Sequence, residues 1–280
     1  MASIVYSPHL SAEGEPFLSL RKPREFWERI TRAQGPVAIV PKPATLNILS
    51  LAHLPEYVKG VLAGSLPNGF GSHETHILLQ VLAANGAMVT AVETALRKRT
   101  GVCAPVSGFH RAGWDYAGGF CTFNGLLVAE RAARARGWLR AGDKVLIYDG
   151  DGHRGDGCVD IIEKLNLQAY VRYVGRQEGI DDARPIEQLR ELAKEFQNFA
   201  LVLYQAGADA YSGDPFGVGY LTKAELEERD RTVFNACAVA RIPLVWNLAG
   251  GFHETATVLL HEQTWEAFTD EYRRAEQEIG

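Results

Sequence analysis

The sequence predicts an α/β fold in which a mostly parallel sheet is covered by helices on both faces. Short apolar segments alternate with longer segments of helical period, and this order favours parallel strands joined by crossover helices. A length of 280 residues suits one or two domains. Because the composition shows neither a linker-like break nor an internal repeat, we expect a single domain over residues 1–280.

Six short segments are predicted strands because they are rich in branched and aromatic apolar residues. The segments VLIY at 145–148 and ALVLY at 200–204 are apolar throughout, which is typical of strands with both faces covered. The predicted strands span residues 36–40, 102–106, 144–148, 168–174, 200–204 and 243–247.

Four segments between these strands are predicted helices, because their apolar residues recur at intervals of three and four. Thr222 precedes one of them and Glu225 follows three positions later, a spacing typical of a capping box. The predicted helices span residues 74–97, 123–136, 185–199 and 223–240.

The composition argues against nucleic-acid and membrane partners. The chain has 29 Lys and Arg against 34 Asp and Glu, whereas either partner favours a basic surface. We see no apolar run of the ~18 residues that a membrane helix needs and no signal-peptide pattern at the start. The four cysteines are far apart and form no C-x-x-C pair, so we expect a reduced, cytoplasmic protein. The sequence does not indicate an oligomeric state.

Polar, glycine-rich segments follow four of the predicted strands. Because the carboxyl ends of parallel strands meet at one edge of a sheet, where ligands bind, we expect the functional site there. The segments span residues 107–121, 149–157, 205–215 and 248–254, and they contain His110, Arg111, Asp149, Asp151, His153, Asp156, Asp209, Asp214, Phe252 and His253.

Asp151 and His153 are the first candidates for metal ligands. They lie two positions apart, so an extended backbone would direct both side chains to one face. One oxygen, one nitrogen and a carboxylate from another loop would suit zinc with an open coordination position. Spacing alone leaves a second interpretation open, in which these residues form a polar turn whose acids cap the next helix.

The same segment also matches a dinucleotide-binding fingerprint, Gly150-x-Gly152-x-x-Gly155. The match is chemically poor, because Asp149, Asp151 and Asp156 would place three carboxylates beside a pyrophosphate. No acid follows the next predicted strand to bind a ribose hydroxyl. Dinucleotide binding therefore remains a minor alternative.

Taken together, the motifs resemble those of the zinc-dependent histone deacetylase-like amidohydrolases of the arginase/deacetylase fold. The resemblance runs from about residue 73 to residue 251, and the order and spacing of the motifs both fit. It rests on GFHRA (108–112), GGFCTFN (118–124), YDGDGHRGDG (148–157), GADAYSGDP (207–215), the GYLT that follows it, and LAGGF (248–252).

The resemblance implies a function and a set of roles. The expected reaction is hydrolysis of an acylated amine or a related small amide or ester, with one Zn²⁺ polarising the acyl carbonyl and activating water. A structural K⁺ near the backbone of 149–153 is also implied. The implied zinc ligands are Asp151, His153 and Asp214; His110 is the first of two active-site histidines, Asp149 supports it, and Gly119 and Phe120 line the substrate channel.

Two residues depart from the family pattern. Arg111 stands at the second histidine position and Phe252 at the position of the oxyanion tyrosine. Arginine stays protonated and cannot be a general base, and phenylalanine has no hydrogen-bond donor. Loss of one oxyanion donor costs ~10²–10³ in rate. The sequence therefore allows either an active hydrolase or a catalytically weak protein that binds a metal and a ligand.

Compensation within the site is one hypothesis. His110 would be the only base, and Arg111 would donate to the oxyanion or hold an anionic substrate. Asp156 would then pair with Arg111. Alternatively, Arg111 and Asp156 form a buried ion pair that fills a decayed site. His253, next to Phe252, is a candidate replacement donor.

Overall fold

One parallel sheet contains every strand of the described chain. The computed structural model describes residues 3–11, 17–32, 35–176, 179–180, 183–216 and 218–279. The strands are β1 (Ser3–Val5), β2 (Ala38–Ile39), β3 (Gly101–Ala104), β4 (Val145–Asp149), β5 (Val171–Arg176), β6 (Gly179–Ile180), β7 (Leu201–Gln205) and β8 (Leu244–Asn247). Their order in the sheet is β2-β1-β3-β8-β7-β4-β5-β6, and each adjacent pair is parallel.

Nine α-helices are present in the described residues. They are α1 (Leu18–Ile30), α2 (Leu46–Leu49), α3 (Pro55–Leu62), α4 (Leu78–Lys98), α5 (Gly125–Ala135), α6 (Asp156–Lys164), α7 (Pro185–Ala193), α8 (Lys223–Val239) and α9 (Ala256–Ile279). The predicted capping box of Thr222 and Glu225 begins α8. The helices α1, α2, α3 and α9 and the short strands β1 and β6 were not predicted.

The helices cover both faces of the sheet, which confirms the predicted fold class. Val145 and Ile147 of β4 pack into one apolar cluster, to which α4 and α5 contribute. Leu146 and Tyr148, the alternate residues, pack into a second cluster, to which α8 and α9 contribute. This alternation follows from the two-residue period of a strand and explains why the sequence of β4 is apolar throughout.

Helix α4 is the one helix of the described chain whose length and composition would allow it to span a membrane, with a mean hydropathy of 1.3. It is not an unbroken apolar run, because Gln80, Asn85 and Thr94 interrupt it. These polar residues are buried, and 72% of the helix window lies inside the protein, as in a core helix.

A buried histidine anchors the long loop that follows β3. His53 is fully buried between α2 and α3. Its Nδ1 donates to the carbonyl of Gly113 at 2.8 Å, and its Nε2 accepts from the backbone N–H of Asn124 at 2.8 Å. The second bond requires the neutral ring, because a protonated Nε2 cannot accept a hydrogen bond. Burial accordingly lowers the pKa of His53 to about 4.

We expect His53 to make the fold sensitive to acid. The unfolded chain takes up this proton near pH 6.5 but the folded chain only near pH 4, so the contribution to stability is complete above pH 6.5 and is lost as the pH falls to 4. A shift of this size corresponds to about 3 kcal/mol. Urea unfolding between pH 4 and 7 should show a smaller loss of stability on acidification in His53→Gln than in the wild type. Parallel pH profiles of the two proteins would contradict this role.

Candidate functional site

The loops that carry the predicted site residues meet at the carboxyl edge of the sheet. The central strands β3, β8, β7 and β4 are neighbours and end at one level, since Asp149 pairs with Gln205 and Gln205 with Asn247. Their loops are therefore adjacent. This placement agrees with the general rule for open parallel sheets.

Three side chains form a candidate metal centre at this edge. One ligand atom from each of Asp151, His153 and Asp209 lies within 4.8 Å of the others. The Nδ1 of His153 is 2.6 Å from Asp209 Oδ2 and 3.2 Å from Asp151 Oδ1. Both carboxylates are buried. Two oxygens and one nitrogen are a donor set that suits zinc.

Asp214 does not join this group. Its carboxylate accepts hydrogen bonds from the backbone N–H of Phe216 at 3.1 Å and of Phe252 at 2.7 Å, and so it ties together the loops after β7 and β8. A ligand role for Asp214 stays a prediction, and the geometry favours Asp209 in its place. Both acids follow the same strand in GADAYSGDP, so spacing alone could not choose between them.

Close backbone approach brings the loops after β4 and β7 together. A Cβ atom at Gly207 would lie 2.2 Å from the Cα of Asp151, so a side chain there would separate the two loops. Arg229 of α8, which is buried, donates to the carbonyls of both Gly150 and Gly207 at 2.8 Å. It also pairs with Asp230 at 2.8 Å. Arg229 thus connects the loops after β4 and β7. The sequence alone did not identify this residue.

The loop after β4 directs its backbone N–H groups at protein carboxylates. Asp151 N donates to Asp149, Gly152 N to Asp209 and His153 N to Asp151, at 2.9–3.0 Å. A dinucleotide-binding turn needs such groups for the pyrophosphate. Because protein acceptors already occupy them, the geometry argues against dinucleotide binding.

His110 is held beside the candidate metal centre by a buried hydrogen-bond network. Its Nδ1 donates to Asp149 Oδ2 at 2.7 Å, and the hydroxyl of Tyr173 donates to the same oxygen at 2.6 Å. The Nε2 of His110 is 3.5 Å from Asp151 Oδ1. Burial alone would lower the pKa of His110, but the charges of Asp149 and Asp151 outweigh it and raise the pKa to about 9.

The two candidate carboxylate ligands repel each other. Burial, and then the charge of Asp151, raise the pKa of Asp209 to about 6. Hydrogen bonds with Asp151 and Asp209 raise the pKa of His153 to about 10. A divalent cation between these groups would relieve the repulsion, so the residues present fit a metal ion chemically. Nothing among the described residues specifically supports the K⁺ ion, which stays a prediction.

Lys22 lies at the floor of the same site although it belongs to the unpredicted helix α1. Its side chain is buried, and its ammonium group donates to the carbonyl of Gly250. Burial lowers the pKa of Lys22 to about 8, against the opposing charges of Asp209 and Asp151. In the sequence it stands in the charged run RKPRE, which gives no sign of burial.

A pocket of about 250 Å³ opens above the cluster. Its walls include Lys22, His110, Arg111, Gly119, Phe120, Cys121, Asp151, His153, Phe216 and Phe252. The predicted channel residues therefore line one cavity together with the catalytic candidates His110 and Arg111. A larger depression of about 660 Å³ lies between β5 and α7, far from this chemistry, and is lined by Arg172, Glu195 and other charged side chains.

Five phenylalanines form a continuous aromatic group, and three of them, Phe120, Phe216 and Phe252, line the pocket. Neighbouring ring centroids are 5.2–5.8 Å apart, and the ring of Phe252 meets that of His153 edge-on at 5.9 Å. Phe120 has a positive φ of 65°, which is uncommon for a residue with a side chain. The members are Phe17, Phe70, Phe120, Phe216 and Phe252. We call this set the aromatic rim.

The hypotheses on compensation have mixed outcomes. Asp156 pairs with Arg154 at 2.9 Å, and both side chains are about half exposed. The pairing of Asp156 with Arg111 was therefore wrong, because Asp156 begins α6 at the surface. His253 Nδ1 accepts from the backbone N–H of Thr255 and Ala256 at 3.2–3.3 Å, at the start of α9. His253 does not line the pocket and is not placed as a replacement donor.

Zinc affinity should distinguish Asp209 from Asp214. We expect Asp209→Asn to weaken zinc binding by more than about 100-fold. Loss of a residue that only hydrogen-bonds to a metal ligand already lowers metal affinity by ~10–100-fold, and loss of a ligand should lower it further. Asp214→Asn should retain stoichiometric zinc, and Asp156→Asn provides a matched surface control. Metal analysis after dialysis against a competing chelator measures the effect. Zinc loss in Asp214→Asn with zinc retained in Asp209→Asn would reverse the assignment.

The chain is similar to known proteins over most of its length. The sequence matches the family model of the histone deacetylase domain over residues 19–174 and 166–268. An uncharacterized protein of Picosynechococcus sp. is 26% identical over 240 residues, covering 77% of this chain and 79% of that protein. Histone deacetylase 2 of Arabidopsis thaliana is 30% identical over 171 residues, covering 53% of this chain and 43% of that protein.

Structural similarity extends over nearly the whole chain. The crystal structure of the HDA15 HD domain superposes with a TM-score of 0.72 at 18% identity and covers 96% of this chain and 88% of that one. At this identity, the likeness shows a shared fold. Since the family model spans most of the sequence, the chain belongs to the histone deacetylase domain family.

Proposed function

We propose that this protein is a zinc-dependent hydrolase that cleaves the amide bond of an acylated amine, or a related small ester, with His110 as its only general base. The observation that carries the proposal is the placement of the Asp151–His153–Asp209 cluster beside the His110–Asp149 pair at one pocket. A metal-ligand set and a proton acceptor that share a cavity are what metal-assisted hydrolysis requires.

Asp151, His153 and Asp209 would hold the zinc ion. When bound, zinc supplies Lewis-acid activation of an acyl carbonyl and of a water molecule. The protein contributes a rigid, buried donor set, because backbone N–H groups and Arg229 fix the loops that carry the ligands.

His110 is suited to accept the proton of the attacking water. Its Nδ1 is committed to Asp149, so its Nε2 is the atom that faces Asp151 and the pocket. Asp149 and Tyr173 fix the ring orientation. A base must be neutral before it accepts a proton, and a nearby dication would lower the pKa of His110 from about 9 towards neutrality.

Position 252 offers no hydrogen bond to the acyl oxygen of a substrate. Phe252 lines the pocket but offers no donor, and His253 is committed to the start of α9. Loss of one such donor costs ~10²–10³ in rate. We therefore expect slow turnover on simple acetylated amines. This observation also favours the second candidate function, a catalytically weak member of the family that binds a metal and a ligand.

His110→Ala tests the proposed base. We expect the variant to retain stoichiometric zinc, because His110 is outside the ligand cluster, and to lose at least ~10² of the turnover that the wild type shows. The assay uses zinc-loaded protein, a panel of acetylated amines and activated esters, and a chelator control. Asp156→Asn, changed at the surface, should hydrolyse at the wild-type rate.

Three outcomes separate the two functions. Turnover that is abolished by chelator and by His110→Ala supports the hydrolase. Unchanged turnover in zinc-loaded His110→Ala would exclude His110 as the base. Tight zinc binding without turnover of any amide or ester would favour the binding protein.

A further inference from the structure

We propose that Arg111 binds a carboxylate on the amine half of the substrate, so that the site accepts a small N-acylated amino acid with an apolar side chain. This inference rests on the proposed amide hydrolysis and specifies its substrate class. It assigns Arg111 a role in specificity, as the guanidinium group of a pocket whose lining also includes Lys22, carboxylates and aromatic rings.

The backbone and a glycine direct Arg111 along the wall of the pocket. It directly follows His110, and its side chain packs over Gly119. A Cβ atom at Gly119 would lie 3.0 Å from the Cγ and 3.5 Å from the Nε of Arg111. Gly119 has a φ of 51° and lies exposed next to Phe120 of the aromatic rim. Arg111 therefore extends from the level of His110 towards the mouth.

Arg111 makes no ion pair with any of the residues that the structure describes. Among the residues that the structure describes, no carboxylate lies within 4.0 Å of its guanidinium group. Other arginines near the site are paired: Arg229 with Asp230, and Arg154 with Asp156. A half-buried guanidinium loses part of its hydration without compensation, and a carboxylate ligand can restore it through two parallel hydrogen bonds.

The position of Arg111 selects the half of the substrate that carries the carboxylate. The scissile carbonyl must reach the Asp151–His153–Asp209 cluster and His110, so the acyl group lies towards the floor. The leaving amine then points along the wall to the mouth, past Gly119 and Arg111. A carboxylate attached near the amine nitrogen, as in an acylated amino acid, would meet the guanidinium group.

The aromatic rim specifies the rest of the ligand. Beside Arg111, the mouth offers the rings of Phe120, Phe252 and Phe216, with Phe216 70% exposed. Such rings bury an apolar or aromatic side chain favourably. A pocket of about 250 Å³ is slightly smaller than the range of about 300–1,000 Å³ that is usual for drug-sized ligands, which suits one small acylated amino acid.

A matched pair of amides isolates the contribution of the carboxylate. N-acetyl-L-phenylalanine and N-acetyl-2-phenylethylamine differ only in that group. For the zinc-loaded wild type, we expect kcat/KM to favour the anionic amide by at least ~10-fold, because only this amide can form charge-assisted hydrogen bonds with Arg111. Arg111→Met should bring this ratio close to one by lowering kcat/KM for the anionic amide by at least ~10-fold more than for the neutral amide.

Binding to zinc-free protein provides a readout that does not depend on turnover or on direct coordination of the carboxylate by zinc. Calorimetric titration with N-acetyl-L-phenylalanine should give a Kd at least ~10-fold weaker in Arg111→Met than in the wild type. Arg111→Lys should have an intermediate Kd, because lysine keeps the positive charge but lacks the planar guanidinium group that can form two parallel hydrogen bonds. Arg172→Met is the matched control, because Arg172 pairs with Glu195 at the exposed edge of the sheet. Thermal unfolding verifies that each variant is folded.

The outcomes separate this inference from the proposed hydrolysis. Turnover of both amides at equal rates, with Arg111→Met unchanged, would overturn the carboxylate role and leave the hydrolase standing. Equal slowing of both amides in Arg111→Met would also overturn it, in favour of an oxyanion role. Binding that depends on Arg111 without turnover of either amide would support the carboxylate role while the hydrolase fails.

Discussion

The close contact between the loops after β4 and β7 is the constraint on which the rest of the site depends. It places Asp151 and Asp209 around one imidazole, in a buried position where two carboxylates repel. Glycine at 207 permits the approach, and Arg229 donates to a carbonyl of each loop. The cost of gathering like charges is offset by backbone N–H groups and by buried cations, so the cluster is a prepared site for a cation.

This concentration of acid also determines how His110 can work. The carboxylate of Asp149 and the hydroxyl of Tyr173 fix the ring, and the surrounding negative charge favours its protonated form. A positive charge in the Asp151–His153–Asp209 cluster would shift that balance towards the neutral base. Metal binding and readiness for proton transfer are thus linked in this arrangement, because the same carboxylates act on both.

The replacements at 111 and 252 change the opposite wall of the pocket. An arginine there supplies a fixed cation, and a phenylalanine extends the aromatic rim towards His153. The pocket loses a polar donor and gains apolar surface and a charge near its mouth. Under the proposed specificity, these residues favour a ligand that combines a ring with an anion. Neither residue belongs to the Asp151–His153–Asp209 cluster.

Local pattern was sufficient for the architecture. Apolar runs and helical periods located six strands and four main helices, because burial on both faces of a sheet leaves a mark in the sequence itself. The short strands β1 and β6 and the flanking helices α1 and α9 carry weaker marks and were missed. The same sequence pattern placed His110, Asp149, Asp151 and His153 at the carboxyl edge of the sheet. The polar segments that carry them directly follow strands that run parallel to one another.

Tertiary structure decided the contacts between segments that are distant in the chain. Asp209 and Asp214 both follow β7, and only the loop conformation turns the first towards His153 and the second towards the backbone of Phe252. Lys22 stands in a charged run that is typical of a surface. The packing of α1 instead brings its ammonium group to the carbonyl of Gly250. The sequence by itself determined which residue types gather at the sheet edge, because the alternation of strands and helices that implies parallel strands is encoded locally. The fold alone decided which of their atoms meet, because the paths of the loops determine whether a side chain becomes a ligand or a neighbour.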